Sequence, residues 1–130
     1  AAKHKPFVVL TSNNTRELGD ALKRRCLHLY IPYPDAALER RIVARRVPEL
    51  AETLRRQLVG FVQGLRELDL KKTPAISETI DWARAVVLLH ASELDADLVR
   101  STLNLLLKFQ DDIALVDGEI HRLLAAARKA

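Results

Sequence analysis

Apolar positions fall into two regimes along the chain, and the change comes at about Pro34. Ahead of it, Phe7-Val8-Val9-Leu10 is a continuous apolar run, β-branched at its centre, ending in Thr11-Ser12-Asn13-Asn14. A strand apolar on both faces belongs in a parallel sheet covered by helices on each side, because neither face can meet water. Leu27-His28-Leu29-Tyr30-Ile31 predicts a second strand, stopped by Pro32 and Pro34 because proline cannot donate to a ladder. Between the two, Thr15 to Arg25 predicts a short helical turn, with Gly19 a break. Two such strands cannot bury themselves, and the remaining sequence supplies no third. The sheet they need is expected upstream, outside these residues.

After Pro34 the period becomes helical. Asp35 predicts an N-cap, and Leu38, Ile42 and Val43 give one apolar stripe that ends before Pro48. The next helix is expected from about Glu49 to Leu68, with Leu50, Leu54, Leu58, Phe61, Val62 and Leu65 on one face. Asp69 to Ala75 is a polar loop containing Lys71, Lys72 and Pro74. Ser77 is expected to cap a helix carrying Ile80, Val87, Leu88 and Leu89. A further helix, about Asp97 to Lys108, turns Val99, Leu103, Leu106 and Leu107 inward. The last starts near Asp111 or Asp112, with Ile113, Val116, Ile120, Leu123 and Leu124 on its stripe. The expected fold is therefore mainly α: a helical bundle over 35–130, preceded over 1–34 by one or two short strands left over from an α/β core. Its core is expected from Leu54, Leu58, Phe61, Val87, Leu103, Leu106, Ile120 and Leu124. No internal repeat or low-complexity tract interrupts this division.

Composition narrows the class. With 130 residues, 48% hydrophobic and 29% charged, the chain suits one ordinary globular domain and argues against disorder. No apolar run approaches the roughly 18 to 20 residues a membrane span needs. The Phe7–Leu10 run is too short for the apolar core of a signal peptide. A single cysteine, Cys26, forms no internal disulfide, so a cytoplasmic location is expected. The chain contains no methionine, and its natural N-terminus is expected to lie upstream. Charge is uneven: residues 1–48 carry ten Lys/Arg against four Asp/Glu, whereas 49–130 carry eleven against thirteen. The basic first part points to an anionic partner, which nucleotide phosphates, nucleic acid or an acidic protein face would satisfy.

Candidate chemistry begins where the first strand ends. In open α/β sheets ligands bind at the carboxyl ends of strands. An asparagine there can accept from a water while donating to a phosphate oxygen, as positioning a nucleophile in phosphoryl transfer requires; Asn13 and Asn14 also suit a plain turn. His4, His28, His90 and His121 have no metal-ligand spacing with each other, with Cys26 or with a carboxylate pair, so no metal site is expected. No Gly-x-Ser-x-Gly or Cys-His arrangement is present. Nor do these residues include a Gly-x-x-x-x-Gly-Lys-[Ser/Thr] loop or an apolar strand ending in paired acids.

The run VVLTSNNTRELGDALKRRCLHLYIPYP resembles the sensor 1 to arginine-finger region of AAA+ ATPases, and most closely the MoxR branch. That family shows an apolar strand, Thr-x-Asn, a segment with Glu-x-Gly and Leu, Asp-Arg-Phe, a second apolar strand and Tyr-Pro. The matching residues are Thr11 and Asn13, then Glu17-Leu18-Gly19, Ala21-Leu22, Arg24-Arg25-Cys26, Leu27 to Ile31, and Tyr33-Pro34. The all-helical remainder resembles the family's lid domain. The resemblance implies that Asn13 is sensor 1, holding the attacking water, and that Arg25 is the arginine finger reaching a neighbouring subunit's nucleotide. Arg24 stands where the family usually has Asp, so either arginine can fill that role. Sensor 2, a lid arginine in a small-x-Arg motif, falls on Ser77-Glu78-Thr79, which departs from the pattern; Arg84 is the nearest nucleotide-binding candidate, beside Trp82, which reads as a lid packing residue.

It further implies ATP and Mg2+ as cofactors of the full-length parent, with none expected in this portion, which should be inactive alone. Implied partners are neighbouring subunits of a homo-oligomeric ring, a von Willebrand A-type protein and a client metalloenzyme. The Ser12-Asn13-Asn14 and Asp81-Trp82-Ala83-Arg84 wording resembles members linked to carbon monoxide dehydrogenase maturation. The function expected is ATP-driven, chaperone-like remodelling or metalloenzyme maturation. Two alternatives stand beside it: a basic helical nucleic-acid-binding module, which would lack the aromatic residues that single-strand binders use, and a protein-interaction bundle.

Overall fold

A computed structural model describes residues 3–12 and 18–130. The chain divides into two compact units, with the boundary between Pro32 and Tyr33.

Among the described residues of the first unit the one regular element is α1 (Asp20–Arg25). Gly19 caps it, accepting from the Leu22 and Lys23 amides at 3.0 and 3.1 Å. Asp20 in the first turn and Lys23, Arg24 and Arg25 in the last complement the helix dipole. Phe7–Leu10 and Leu27–Ile31, expected as strands, are not strands: no strand occurs among the described residues. A β-strand exists only in a ladder, and these segments make none with each other. Their apolar side chains stand in solvent, with Phe7 96% and Leu27 104% exposed.

The second unit is a helical bundle of α2 (Ala36–Arg46), α3 (Glu52–Arg66), α4 (Ile76–Leu88), α5 (Ala96–Leu106) and α6 (Gln110–Lys129). Two of the helices, α2 and α5, start where a short polar side chain reaches back to the backbone. Asp35 accepts from the Leu38 amide at 2.8 Å, and Asp95 from the Leu98 amide at the same distance. At α4 the expected cap shifts: Ala75, not Ser77, is the N-cap, and its amide donates to Glu78 at 3.0 Å. Ser77 lies inside the first turn, its hydroxyl on the same carboxylate at 2.9 Å.

The core forms where the apolar stripes meet. Leu54, Leu58, Phe61, Val62 and Leu65 of α3 share one cluster with Val116, Ile120, Leu123 and Leu124 of α6, against which α3 packs, and with Val99, Leu103 and Leu106 of α5, which packs on α4 and α6. Trp82 and Phe61 sit at its centre, ring centroids 5.5 Å apart and tilted by 49°. Trp82 is wholly buried, and its Nε1 donates to Thr102 Oγ1 at 2.8 Å. Helices α3 and α6 approach closely because Gly60 and Gly64 lie a turn apart. A Cβ at Gly60 would stand 3.1 Å from the Ala127 Cα, and one at Gly64 would stand 2.9 Å from Leu123 Cδ2.

Two expected faces are shifted. On α4 the buried residues are Thr79, Ile80, Trp82, Ala83 and Val86; Val87 is only half-buried, while Leu88 is 77% exposed and Leu89 also faces water. The register follows Trp82, whose ring can be buried only by turning Val86, one turn on, inward. On α2 Val43 is buried, but Leu38 is exposed and Glu39 takes the inward place. Among the described residues, no helix is long and apolar enough to cross a membrane.

Candidate functional site

The residues singled out by sequence are distributed over both units. Asn13 lies outside the described residues. Arg24 and Arg25 occupy the last turn of α1 in the first unit, both exposed and without an ion-pair partner among the described residues. Arg84 belongs to the second unit, on the exposed side of α4, where its Nη1 meets Asp81 Oδ1 at 3.4 Å. A pair this exposed is worth a few tenths of a kcal/mol at most, on the order of other surface pairs, and leaves the guanidinium open to a stronger anion. Thr79, where the resembled motif carries its arginine, is already committed. It is buried, and its hydroxyl donates to Glu39 Oε1 at 2.9 Å.

That contact belongs to a polar cluster the sequence did not announce. Glu39 is fully buried in α2, and its two oxygens take four donors. Arg66 of α3 grips it in a fork, Nη1 to Oε2 at 2.6 Å and Nη2 to Oε1 at 2.8 Å. Gln63 Nε2 donates to Oε2 at 2.6 Å, and Thr79 completes the set. Arg66 Nε reaches the Pro74 carbonyl at 3.0 Å, and its guanidinium lies 4.9 Å from the Tyr33 ring centroid. Gln63 Nε2 also approaches the Pro34 carbonyl at 3.2 Å. The cluster thus ties α2, α3 and the start of α4 to the Tyr33–Pro34 segment. A general base needs a lone pair facing its substrate, and both Glu39 oxygens face donors. Its role is to hold helices in register.

A second ordering device closes the loop between α3 and α4. Asp112 in the first turn of α6 is buried, and accepts from the Lys71 amide at 2.9 Å and the Lys72 amide at 3.2 Å. Beside it Lys71 Nζ pairs with Asp111. The hydrogen bond and charge of Asp111 raise the Lys71 pKa, and Lys71 in turn lowers that of Asp111. At Glu78 partial burial raises the pKa, but the Ser77 hydroxyl, the backbone amides and Lys72 outweigh it, so the carboxyl sits below its ordinary value.

ATP and Mg2+ test these residues directly. Arg24 and Arg25 in the first unit, and Arg84 in the second, are exposed cations able to meet phosphate oxygens. No group of three or more His, Cys, Asp or Glu that could hold a metal ion occurs among the described residues. Comparison with protein-family models, curated proteins and solved structures finds no match.

Proposed function

We propose that this chain is the C-terminal portion of a MoxR-type AAA+ ATPase, comprising the sensor 1 and arginine-finger edge of the core followed by the helical lid. The parent would work in the cytoplasm as a homo-oligomeric ring, binding ATP and Mg2+ through residues outside this sequence. It would remodel client proteins or mature metalloenzymes, with a von Willebrand A-type protein as a fitting partner. One observation carries the reading: a self-sufficient helical unit follows a segment whose two apolar runs lie exposed and unpaired. Apolar runs of this kind are stable only inside a sheet they do not themselves provide. The ordered motif from Thr11 to Pro34 supplies the name of that sheet. Arg25, exposed at the end of α1 and without an ion-pair partner among the described residues, has the freedom a finger acting on a neighbour requires.

The test uses the full-length parent. An arginine finger is worth on the order of 10³ to 10⁵ in rate, so Arg25→Ala should nearly abolish ATP turnover while nucleotide binding survives. Mixing Arg25→Ala subunits with subunits dead in the phosphate loop should restore activity, because each supplies what its neighbour lacks. Asn13→Ala, acting within its own subunit, should gain nothing from such mixing. Turnover by Arg25→Ala at the parent's rate would shift the role to Arg24. The whole reading is overturned if the coding sequence ahead of residue 1 contains no phosphate-binding loop.

A further inference from the structure

Arginines in the helical unit fall into two sets. Each of the seven in α3 to α6 has a hydrogen bond or ion pair, from Arg55 on Leu50 and Arg66 on Glu39 to Arg100 on Asp117 and Arg122 on Glu119. None of the four in α2, Arg40, Arg41, Arg45 and Arg46, has one among the described residues. The helix's single acid, Glu39, points inward with both oxygens occupied, so the outer surface of α2 is cationic without relief. Arg41 and Arg45, four residues apart, repel each other by a few tenths of a kcal/mol. The sequence before the helix offers no remedy: Lys3, Lys5, Arg16 and Lys23 to Arg25 stand there against only Glu17, Asp20 and Asp35. Asp35, moreover, is engaged as the α2 cap.

The same face is apolar along its middle. Leu38, Arg41, Ile42 and Arg45 follow the i, i+3, i+4, i+7 spacing that places them side by side. Leu38 is 45% exposed, and the surface dips shallowly where Ile42 and Ala44 meet Arg41 and Arg45. We infer that this face of α2 docks an acidic amphipathic helix of a partner protein, its aliphatic side chains on Leu38 and Ile42 and its carboxylates on Arg41 and Arg45. A planar guanidinium binds a carboxylate through two parallel hydrogen bonds, and a helix laid on an apolar strip presents side chains at the same spacing. The apolar centre selects this partner over nucleic acid, since an aliphatic side chain gains nothing against a phosphate backbone and α2 itself carries no aromatic ring to stack on bases. The inference holds whether or not the chain derives from an ATPase.

Fluorescence anisotropy with the full chain tests it, at near-physiological salt. The probe is a labelled synthetic helix with leucines at i, i+3, i+4 and i+7 flanked by glutamates. Its competitors are a shuffled peptide of the same composition, polyglutamate and a short DNA duplex. The designed helix should bind at least about tenfold more tightly than each competitor, and Arg41→Glu/Arg45→Glu should weaken it by at least about tenfold. Leu38→Ser should weaken it several-fold, and Lys129→Glu, a charge reversal of the same kind on α6, should leave it unchanged. All variants alter exposed side chains, and helical circular dichroism should confirm that each remains folded. Four results would overturn the inference: no binding of the designed helix, full affinity in the Arg41/Arg45 variant, indifference to Leu38→Ser, or equal competition by polyglutamate or DNA.

Discussion

Glu39→Ala is the substitution to which the bundle should be most sensitive. It leaves the Arg66 guanidinium, 8% exposed, with its Nη1 and Nη2 aimed at a vacated site. The Gln63 amide and the Thr79 hydroxyl lose their shorter acceptor as well, keeping the Pro34 and Ala75 carbonyls at 3.2 and 3.3 Å. Removing one partner of a buried pair costs about 3–5 kcal/mol, because the remaining charge stays desolvated. The losses at Gln63 and Thr79 overlap with that figure, since water entering the same space serves all three donors. Arg66 retains the Pro74 carbonyl and the Tyr33 ring, which argues for the lower half of the range. A domain of this size has about 5–15 kcal/mol in total, so the loss should remove a large part of it. At about 4–8 °C per kcal/mol, Tm should fall by on the order of 12–30 °C. Trp82 makes the assay simple: it is the only tryptophan and wholly buried, so its fluorescence reports urea unfolding of the core. Glu39→Leu/Arg66→Met should recover most of the stability, because apolar groups of similar volume leave no uncompensated charge. A cost below about 1 kcal/mol for Glu39→Ala would refute the reasoning. So would a double variant no more stable than the single one.

Other perturbations read separate parts of the unit. His90 closes α4 at φ 52°, its amide on the Val87 carbonyl at 3.0 Å and that of Ala91 on Val86 at 3.3 Å. His90→Gly should therefore raise stability by about 1 kcal/mol, and a lower Tm would contradict it. Thr102→Val strands the Trp82 Nε1 donor in the core and should cost about 1–3 kcal/mol, whereas Thr102→Ser should cost less. The Glu78 carboxyl has a lowered folded pKa, so its contribution is complete above its unfolded value near 4.5 and is lost as pH falls through the folded value. Glu78→Gln should flatten that part of the acid limb, and parallel pH profiles for the two proteins would rule out the assignment.

Where the sequence is legible, a local rule is enough. Asp35 sits three residues before the amide it caps, and the α3 stripe repeats at helical spacing through Leu54, Leu58, Phe61 and Leu65. Where it misleads, the deciding partner is remote. Val86 to Leu89 are all aliphatic, so periodicity alone cannot choose among them; burial of Trp82 against Phe61 does. Asp111 and Asp112 look like helix caps, yet Asp112 serves loop amides some 40 residues earlier in the chain. Glu39 reads as an ordinary surface acid because its three partners lie 24, 27 and 40 residues away. The candidate site divides in the same way. The order of Thr11, Asn13, Arg25 and Tyr33 is visible in one dimension, but a strand's existence depends on neighbours, and none of the described residues supplies them.

The close approach of α3 and α6 through Gly60 and Gly64 also has a consequence in time. Gly60 meets Ala127, so the inner face of α3 is sealed only when the end of α6 arrives. During synthesis at about 5–20 residues per second, several seconds separate these two points on the chain. Through that interval Leu54, Leu58 and Phe61 have α2 and α4 for company but not their final cover. The nascent chain must therefore pass through a stage with a greasy, unsealed seam, the kind of surface that holding chaperones grip. Helix α6 acts as a zip fastener, drawn shut only after the stretch between the two glycines and Ala127 has been made.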